Sequence, residues 1–141
     1  MTFKVTSITC DELSNLISCA IYGNSYMDVR FKKKDWDALV DKDPEGYKDT
    51  RYHEDKCAYI LHNGGCIYVT DMDAEEEVYG KLPHAIDAET GAVTYKVRMK
   101  DVLKGLSNDE VRWAITDWDN MDLTSAYAVM QAITFGKVVY G

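Results

Sequence analysis

Basic residues are scarce in this 141-residue chain, which has 16 lysines and arginines against 24 aspartates and glutamates and a formal net charge of -8. Nucleic-acid-binding domains generally cluster lysine and arginine, because these side chains neutralise the phosphate backbone. The acidic balance therefore disfavours direct binding of DNA or RNA. It favours a partner whose own surface is basic, including a protein that normally holds nucleic acid.

Long apolar runs are also lacking. No stretch of the sequence approaches the roughly 20 apolar residues of a membrane span, and residues 1–10 lack the charged and then apolar order of a signal peptide. The sequence therefore predicts a cytoplasmic protein without a membrane partner. Its few cysteines are expected to be free thiols that pack as small buried hydrophobes: Cys10, Cys19, Cys57 and Cys66.

Enzyme motifs are missing as well. The chain has three histidines, and it contains no nucleophile elbow, glycine-rich phosphate loop or catalytic-cysteine signature. Carboxylate pairs such as Asp117 and Asp119 could do acid–base chemistry, but exposed loop carboxylates are usually just solvated. We predict a protein that binds and does not catalyse, with no catalytic residues and no cofactor.

One group of residues has the side chains of a zinc site without its spacing. Zinc accepts all four of the residue types in this group: His53, Cys57, His62 and Cys66. A helix would put His53 and Cys57 on one face, but His62 lies near a glycine turn and Cys66 enters a strand. We therefore expect surface histidines and buried cysteines here, with no metal.

Apolar periodicity predicts both helices and strands in a single domain covering residues 1–141. The predicted helices cover residues 10–22, 35–40, 54–62 and 99–106, and a final helix follows Asp122. The helical pattern also continues to residue 115, either as part of the 99–106 helix or as a separate helix. The predicted strands lie at residues 3–7, 26–31, 66–69, within 78–86, 93–97 and 138–140. The fold class is therefore α+β, a small antiparallel sheet packed with three to five helices.

Local signals mark the ends of these elements. Thr9 followed by Glu12 is a capping box, Ser107 with Glu110 repeats the same spacing, and Asp122 is placed to cap the last helix. Residues 87–91 have the composition of a hairpin turn, and the polar residues 41–51 predict a surface loop. The last strand, 138–140, is expected to tie the chain end into the sheet.

Two acidic segments are candidate contact surfaces. Their members are Asp71, Asp73, Glu75, Glu76 and Glu77 in the first, and Asp117, Asp119 and Asp122 in the second. Adjacent like charges repel, so both segments are expected to be solvated turns that could meet a basic partner. The first is not a calcium loop, because Glu76 stands where the loop needs glycine.

Aromatic side chains near turns and helix ends are the second group of candidates. They are Tyr22, Tyr26, Trp36, Trp113 and Trp118, among ten tyrosines and three tryptophans. Such rings supply rigid contact area and dominate binding hot spots, and they can also stack on a nucleobase. Core packing, a protein contact and a small-nucleotide pocket all remain open for each of them.

Four segments resemble a family of small accessory proteins carried by bacteriophages and prophages. They are AIYGNSYMDV at the end of the first helix, HNGGCIYVTDMD, YKVRMKDVLKGL and the closing AVMQAITFGKVVYG. The resemblance covers about half of the chain and supplies no catalytic residues. It implies a phage accessory gene, and small acidic phage proteins of this kind often act on the defence systems of the bacterial host.

This resemblance yields two functional expectations. The first is an anti-CRISPR-like inhibitor in the host cytoplasm, whose acidic surface binds stoichiometrically in the basic nucleic-acid channel of a defence effector. The second is a sponge that sequesters an immune signalling cyclic nucleotide in an aromatic-lined pocket. The sponge would form a homo-oligomer, since apolar aromatics near the chain end could seal a contact between identical subunits.

Overall fold

A computed structural model describes residues 3–22, 26–42, 52–72, 74–76 and 79–140. Within these ranges it contains six α-helices and four strands: α1 (Cys10–Ile21), β1 (Met27–Arg30), α2 (Lys33–Lys42), α3 (His53–His62), β2 (Cys66–Asp71), β3 (His84–Ile86), β4 (Val93–Arg98), α4 (Met99–Leu106), α5 (Arg112–Thr116) and α6 (Leu123–Thr134). Short 3-10 turns, Asp109–Val111 and Trp118–Asn120, flank α5. The predicted α+β class is confirmed, with one helix more than the range expected.

The four strands form one antiparallel sheet in the order β1-β2-β4-β3. Alternation along the strands buries one face, on which Val69 pairs with Val29 on one side and with Tyr95 on the other. Helices α1, α3 and α6 contact β1, β2 and β4 respectively. The apolar core therefore lies between this face and the helices.

Helix α1 forms where its capping box predicts. The Glu12 amide donates to Thr9 Oγ1 over 3.1 Å, and the Thr9 amide donates to Glu12 Oε1 over 3.0 Å. Apolar positions at helical spacing bury one face, including Leu13, Leu16 and Ile17. That face packs against α3 and α6, so the first helix is anchored by both its cap and its core contacts.

The chain end is held by a side chain and not by the sheet. Gln131, which lies in α6 and is 0% exposed, accepts hydrogen bonds from the amides of Val139 (2.9 Å) and Tyr140 (2.7 Å) and donates one to the Tyr140 carbonyl (2.8 Å). The predicted terminal strand is therefore wrong. The Gln131 amide group replaces the hydrogen-bond partners that a neighbouring strand would have supplied.

The strand predicted at residues 3–7 and the capping box predicted at Ser107 are both wrong, because Ser107 bonds to Val5 instead. Residues 3–9 form no strand, and the Val5 amide instead donates to Ser107 Oγ over 2.8 Å. Ser107 ends α4 and donates to the Leu103 carbonyl, while Asn108 caps the following 3-10 turn by accepting from the Glu110 amide. Helices α4 and α5 are therefore separate.

Two other segments differ in extent from the prediction. Helix α2 is longer than expected and buries none of its residues, and most of the predicted loop 41–51 lies outside the described residues. In the predicted strand 78–86, residues 84–86 form β3. The 87–91 turn is confirmed: Asp87 Oδ1 accepts from the Glu89 and Thr90 amides, and Gly91 adopts a φ of 77°.

None of the helices that the structure describes combines the length and the apolar character needed to cross a membrane.

Candidate functional site

Residues 109–122 form an exposed acidic surface around a tryptophan, which we call the Trp113 surface. Its exposed carboxylates belong to Asp109, Glu110, Asp117, Asp119 and Asp122. Arg112 is the single basic residue in the segment. Trp113 is 55% exposed, an unusual position for so large an apolar ring. The surface combines concentrated negative charge with a rigid apolar contact.

The local fold fixes the direction of Trp113. Val111 and Ala114 are buried in the core, so the intervening part of the turn and helix faces outward. The indole Nε1–H of Trp113 donates to the Glu110 carbonyl over 3.0 Å. The polar group of the indole is thus satisfied within its own turn, and the ring is presented to solvent in one orientation.

The second half of this surface is ordered by short-range hydrogen bonds. Asn120 Nδ2 donates to Asp117 Oδ1 over 2.7 Å, and the Ser125 amide donates to Asp122 Oδ1 over 2.8 Å. The latter bond lowers the pKa of Asp122 and caps α6, as the sequence predicts. Asp122 therefore stays ionised to lower pH than an ordinary aspartate.

Trp118 does not belong to the exposed surface, although two aspartates flank it in sequence. Its ring is half-buried, packs against the core and lines a small cavity with Val5 and Ile115. We therefore assign it to packing, one of the alternatives open for each aromatic candidate.

The first acidic segment is split by burial. Asp71 is 1% exposed at the end of β2, so the expectation that it lies on a solvated turn is wrong. Its pairing with Met27 and Val93 continues the buried face of the sheet, where burial and then the Asp71 charge raise the pKa of Tyr95 to about 12. Asp73 and Glu77 lie outside the described residues.

Glu75 and Glu76 are exposed as expected. The Glu75 amide donates to the Tyr140 hydroxyl over 3.1 Å. The Tyr140 backbone is held by Gln131, nine residues after Asp122 along α6. At 1.5 Å per residue Gln131 lies about 14 Å beyond the Asp122 cap along the helix axis. The first acidic segment and the Trp113 surface nevertheless both contact residues 138–140, Glu75 through Tyr140 and Glu110 through the Val138 amide.

A second candidate site, the Trp36 groove, is a cavity of about 670 Å³ between β1, α2 and α3. Phe31 lies 5.2 Å from the His53 ring and 6.5 Å from the Trp36 ring, measured between centroids. Lys56 Nζ lies 5.4 Å from the centroid of Trp36. The groove could hold a planar ring beside cations.

The charges of the Trp36 groove are mixed. Arg30 Nε lies 2.6 Å from Asp28 Oδ2, and Lys33 Nζ lies 3.4 Å from Asp37 Oδ2. These exposed pairs contribute little to stability, so an anionic ligand could compete for the cations. Sequence reasoning found Trp36 and missed the ring and cation partners, because they come from three separate elements.

Tyr22 and Tyr26 do not line the Trp36 groove, although both are more than half exposed. The Tyr22 hydroxyl donates to Glu54 Oε2 over 2.9 Å, and this hydrogen bond raises the pKa of Tyr22. The structure therefore divides the aromatic candidates among several locations.

The zinc-like residues do not converge. His53 Nε2 and Cys57 Sγ are 3.8 Å apart, but His62 Nε2 contacts the Ile8 carbonyl at 2.7 Å and Cys66 Sγ contacts the Tyr68 hydroxyl. Across the described part of the chain, no three His, Cys, Asp or Glu side chains group as metal ligands.

Cys57 and Cys66 are buried, as the sequence predicts, whereas Cys10 and Cys19 are only partly so. Burial raises the pKa of Cys57 to about 12, so its thiol is protonated at neutral pH. A protonated, buried thiol is a poor nucleophile. Cys57 therefore serves as a core residue.

The Trp113 surface is thus built by one continuous segment, whereas the Trp36 groove is built by residues from separate elements. No protein-family model, no curated protein and no solved structure matches this chain, so the resemblance to phage accessory proteins stays a prediction and both sites rest on their own geometry.

Proposed function

We propose that this protein is a stoichiometric inhibitor that binds a basic protein surface through its Trp113 surface. The observation that carries the proposal is the exposed ring of Trp113, fixed by its hydrogen bond to Glu110 and surrounded by carboxylates. Tryptophan is among the residues most enriched in binding hot spots. A pre-oriented ring also loses little conformational entropy when a partner covers it.

The charge of this surface supports a basic partner. Complementary charge steers association and disfavours wrong partners, and its effect falls as salt rises. The resemblance to phage accessory proteins makes a nucleic-acid-binding effector of bacterial antiviral defence the first partner to test. In this anti-CRISPR-like mode the carboxylates occupy the channel that would hold the guide or target strand, in the host cytoplasm.

The test is a pull-down from a bacterial host lysate, followed by binding measurements with the captured effector. Trp113→Ala and the double variant Asp117→Lys, Asp119→Lys are each expected to weaken binding by at least tenfold, as loss of a hot-spot residue does. Wild-type affinity is expected to fall as salt rises.

Two matched variants control for exposure and charge. Tyr52→Ala removes another exposed ring, and Glu75→Lys with Glu76→Lys makes the same charge change on the first acidic segment. Both are expected to retain binding. Undiminished inhibition by the Trp113 and aspartate variants would rule out this surface as the contact.

The Trp36 groove supports a second candidate, the cyclic-nucleotide sponge. A base stacked on Trp36 would leave its phosphates within reach of the groove cations, Arg30, Lys33 and Lys56. Calorimetry with cyclic di-AMP and cyclic di-GMP as probes should then detect binding without any protein partner, and Trp36→Ala should abolish it. Native mass spectrometry would report the oligomeric state. Wild-type protein that binds neither probe would exclude these ligands.

A further inference from the structure

Another groove concentrates lysines in this acidic protein. It encloses about 590 Å³ between residues 79–82, α4 and the end of α6, and its lining includes Lys81, Lys104 and Lys137. Asp101 is the single carboxylate among the described residues that line it. We call it the lysine groove. Its volume lies within the range of about 300–1,000 Å³ typical of small-molecule sites.

Each of the three lysines is adjacent in sequence to a glycine that fixes the backbone beside it. A Cβ on Gly80 would overlap the Thr134 carbonyl, and a Cβ on Gly105 would lie 2.7 Å from the Ile133 Cα, so both glycines pack directly on α6. The Gly136 carbonyl accepts from Asn108 Nδ2 over 3.0 Å. Three glycine–lysine pairs from separate segments thus converge on one groove.

The backbone of Lys137 is restrained on both sides. The Asn108 contact holds the preceding carbonyl, and the amide of Val138 donates to Glu110 Oε2 over 3.2 Å. The backbone positions that carry the lysines are thus preorganised. Preorganisation reduces the entropy lost when a ligand binds.

The groove lysines form no ion pair among the residues that the structure describes. None of the three is within ion-pair distance of a described carboxylate. Asp101 accepts instead from the Arg98 amide over 2.9 Å, as part of the α4 cap. An adjoining cavity, which shares Lys104, adds Lys4 and Lys100 to the same side of the molecule. Clustered like charges create a local positive potential that attracts anions.

We propose that the lysine groove binds a small ligand carrying two or more phosphate groups. Lysine is a point charge that suits phosphate oxygens, and three lysines approaching from different segments match a chain of phosphates better than a single planar carboxylate. The groove adjoins the Trp113 surface through the contact between Val138 and Glu110, but this proposal does not rest on the proposed function, and either one can fail without the other.

Isothermal titration calorimetry with inorganic tripolyphosphate tests the proposal on the whole chain. One binding site per chain is expected. Lys81→Gln, Lys104→Gln and Lys137→Gln should each weaken binding by about tenfold, the loss of one charged hydrogen bond. NMR should show shifts of the Gly80, Gly105 and Gly136 amides on titration, with the far-UV circular dichroism of each variant unchanged.

Lys42→Gln is the matched control, because it removes one exposed charge on α2 and leaves the groove intact. It is expected to bind tripolyphosphate like the wild type. Absence of binding, or an equal loss in Lys42→Gln, would overturn the proposal. So would a single-stranded oligonucleotide that binds more tightly than tripolyphosphate and loses affinity in the three groove variants, since the groove would then be part of a nucleic-acid surface.

Discussion

Gly105→Ala is expected to lower the free energy of unfolding by about 2 kcal/mol, the cost of overpacking a well-filled core. The sign of this change in stability is informative, because replacing a glycine inside a helix by alanine normally stabilises the helix by about 1 kcal/mol. Here the new Cβ would lie 2.7 Å from Cα and 2.8 Å from the backbone nitrogen of Ile133. Both are main-chain atoms, so the steric overlap can be relieved only if α4 and α6 move apart.

The measurement is urea denaturation of Gly105→Ala beside Lys100→Ala. Lys100 is exposed on the same helix, so its replacement should change stability by less than about 0.5 kcal/mol. A Gly105→Ala variant more stable than the wild type would mean that α4 and α6 do not pack as closely as described.

Gln131→Leu is expected to lower the free energy of unfolding by about 3 kcal/mol, because leucine fills a similar volume but removes three hydrogen bonds worth about 1 kcal/mol each. These bonds join Gln131 to the amides of Val139 and Tyr140 and to the carbonyl of Tyr140, which are partly buried. Denaturation measures the loss of stability. Hydrogen exchange should show faster exchange of the Val139 and Tyr140 amides.

Thr134→Val provides the comparison for Gln131. Thr134 is also buried in α6, but its hydroxyl donates within the helix to the Met130 carbonyl. This substitution should cost less than about 1 kcal/mol and leave exchange in the chain end unchanged. If Gln131→Leu also left that exchange unchanged, the amide group of Gln131 would not be what holds residues 138–140.

The elements that sequence predicted well are those determined by neighbouring residues. Thr9 and Glu12 cap α1, Asp122 caps α6, and Asp87 with Gly91 forms the turn before β4, all within a few positions of the element they define. Capping and turn formation depend on local backbone geometry, which short sequence patterns encode directly.

The failures concern partners far apart in sequence. Ser107 has the spacing of an N-cap, but it bonds to Val5, which lies 102 positions away. Residues 138–140 have strand composition, but the Gln131 side chain takes their hydrogen bonds. Asp71 begins an acidic run, yet the strand alternation that buries Val69 also turns Asp71 inward. Composition does not reveal which of two competing partners is nearer in space.

The candidate sites show the same limit. Trp113 and Trp118 lie five positions apart in one acidic segment, but Trp113 is on α5 and faces solvent, whereas Trp118 begins the following 3-10 turn and packs inward. The lysine groove could not be predicted because its three glycine–lysine pairs are distant in sequence. The sequence does show that glycine and lysine are repeatedly adjacent, but only the tertiary fold brings the three pairs together.

The short outer strands of the sheet affect how the protein behaves at high concentration. The sheet ends in β1, with four residues, and β3, with three, so each edge offers few backbone groups to a neighbouring molecule. Three consecutive lysines follow β1, and Pro83 precedes β3. Short edges flanked by charge and proline discourage edge-to-edge strand addition, which protects the chain against forming fibrils.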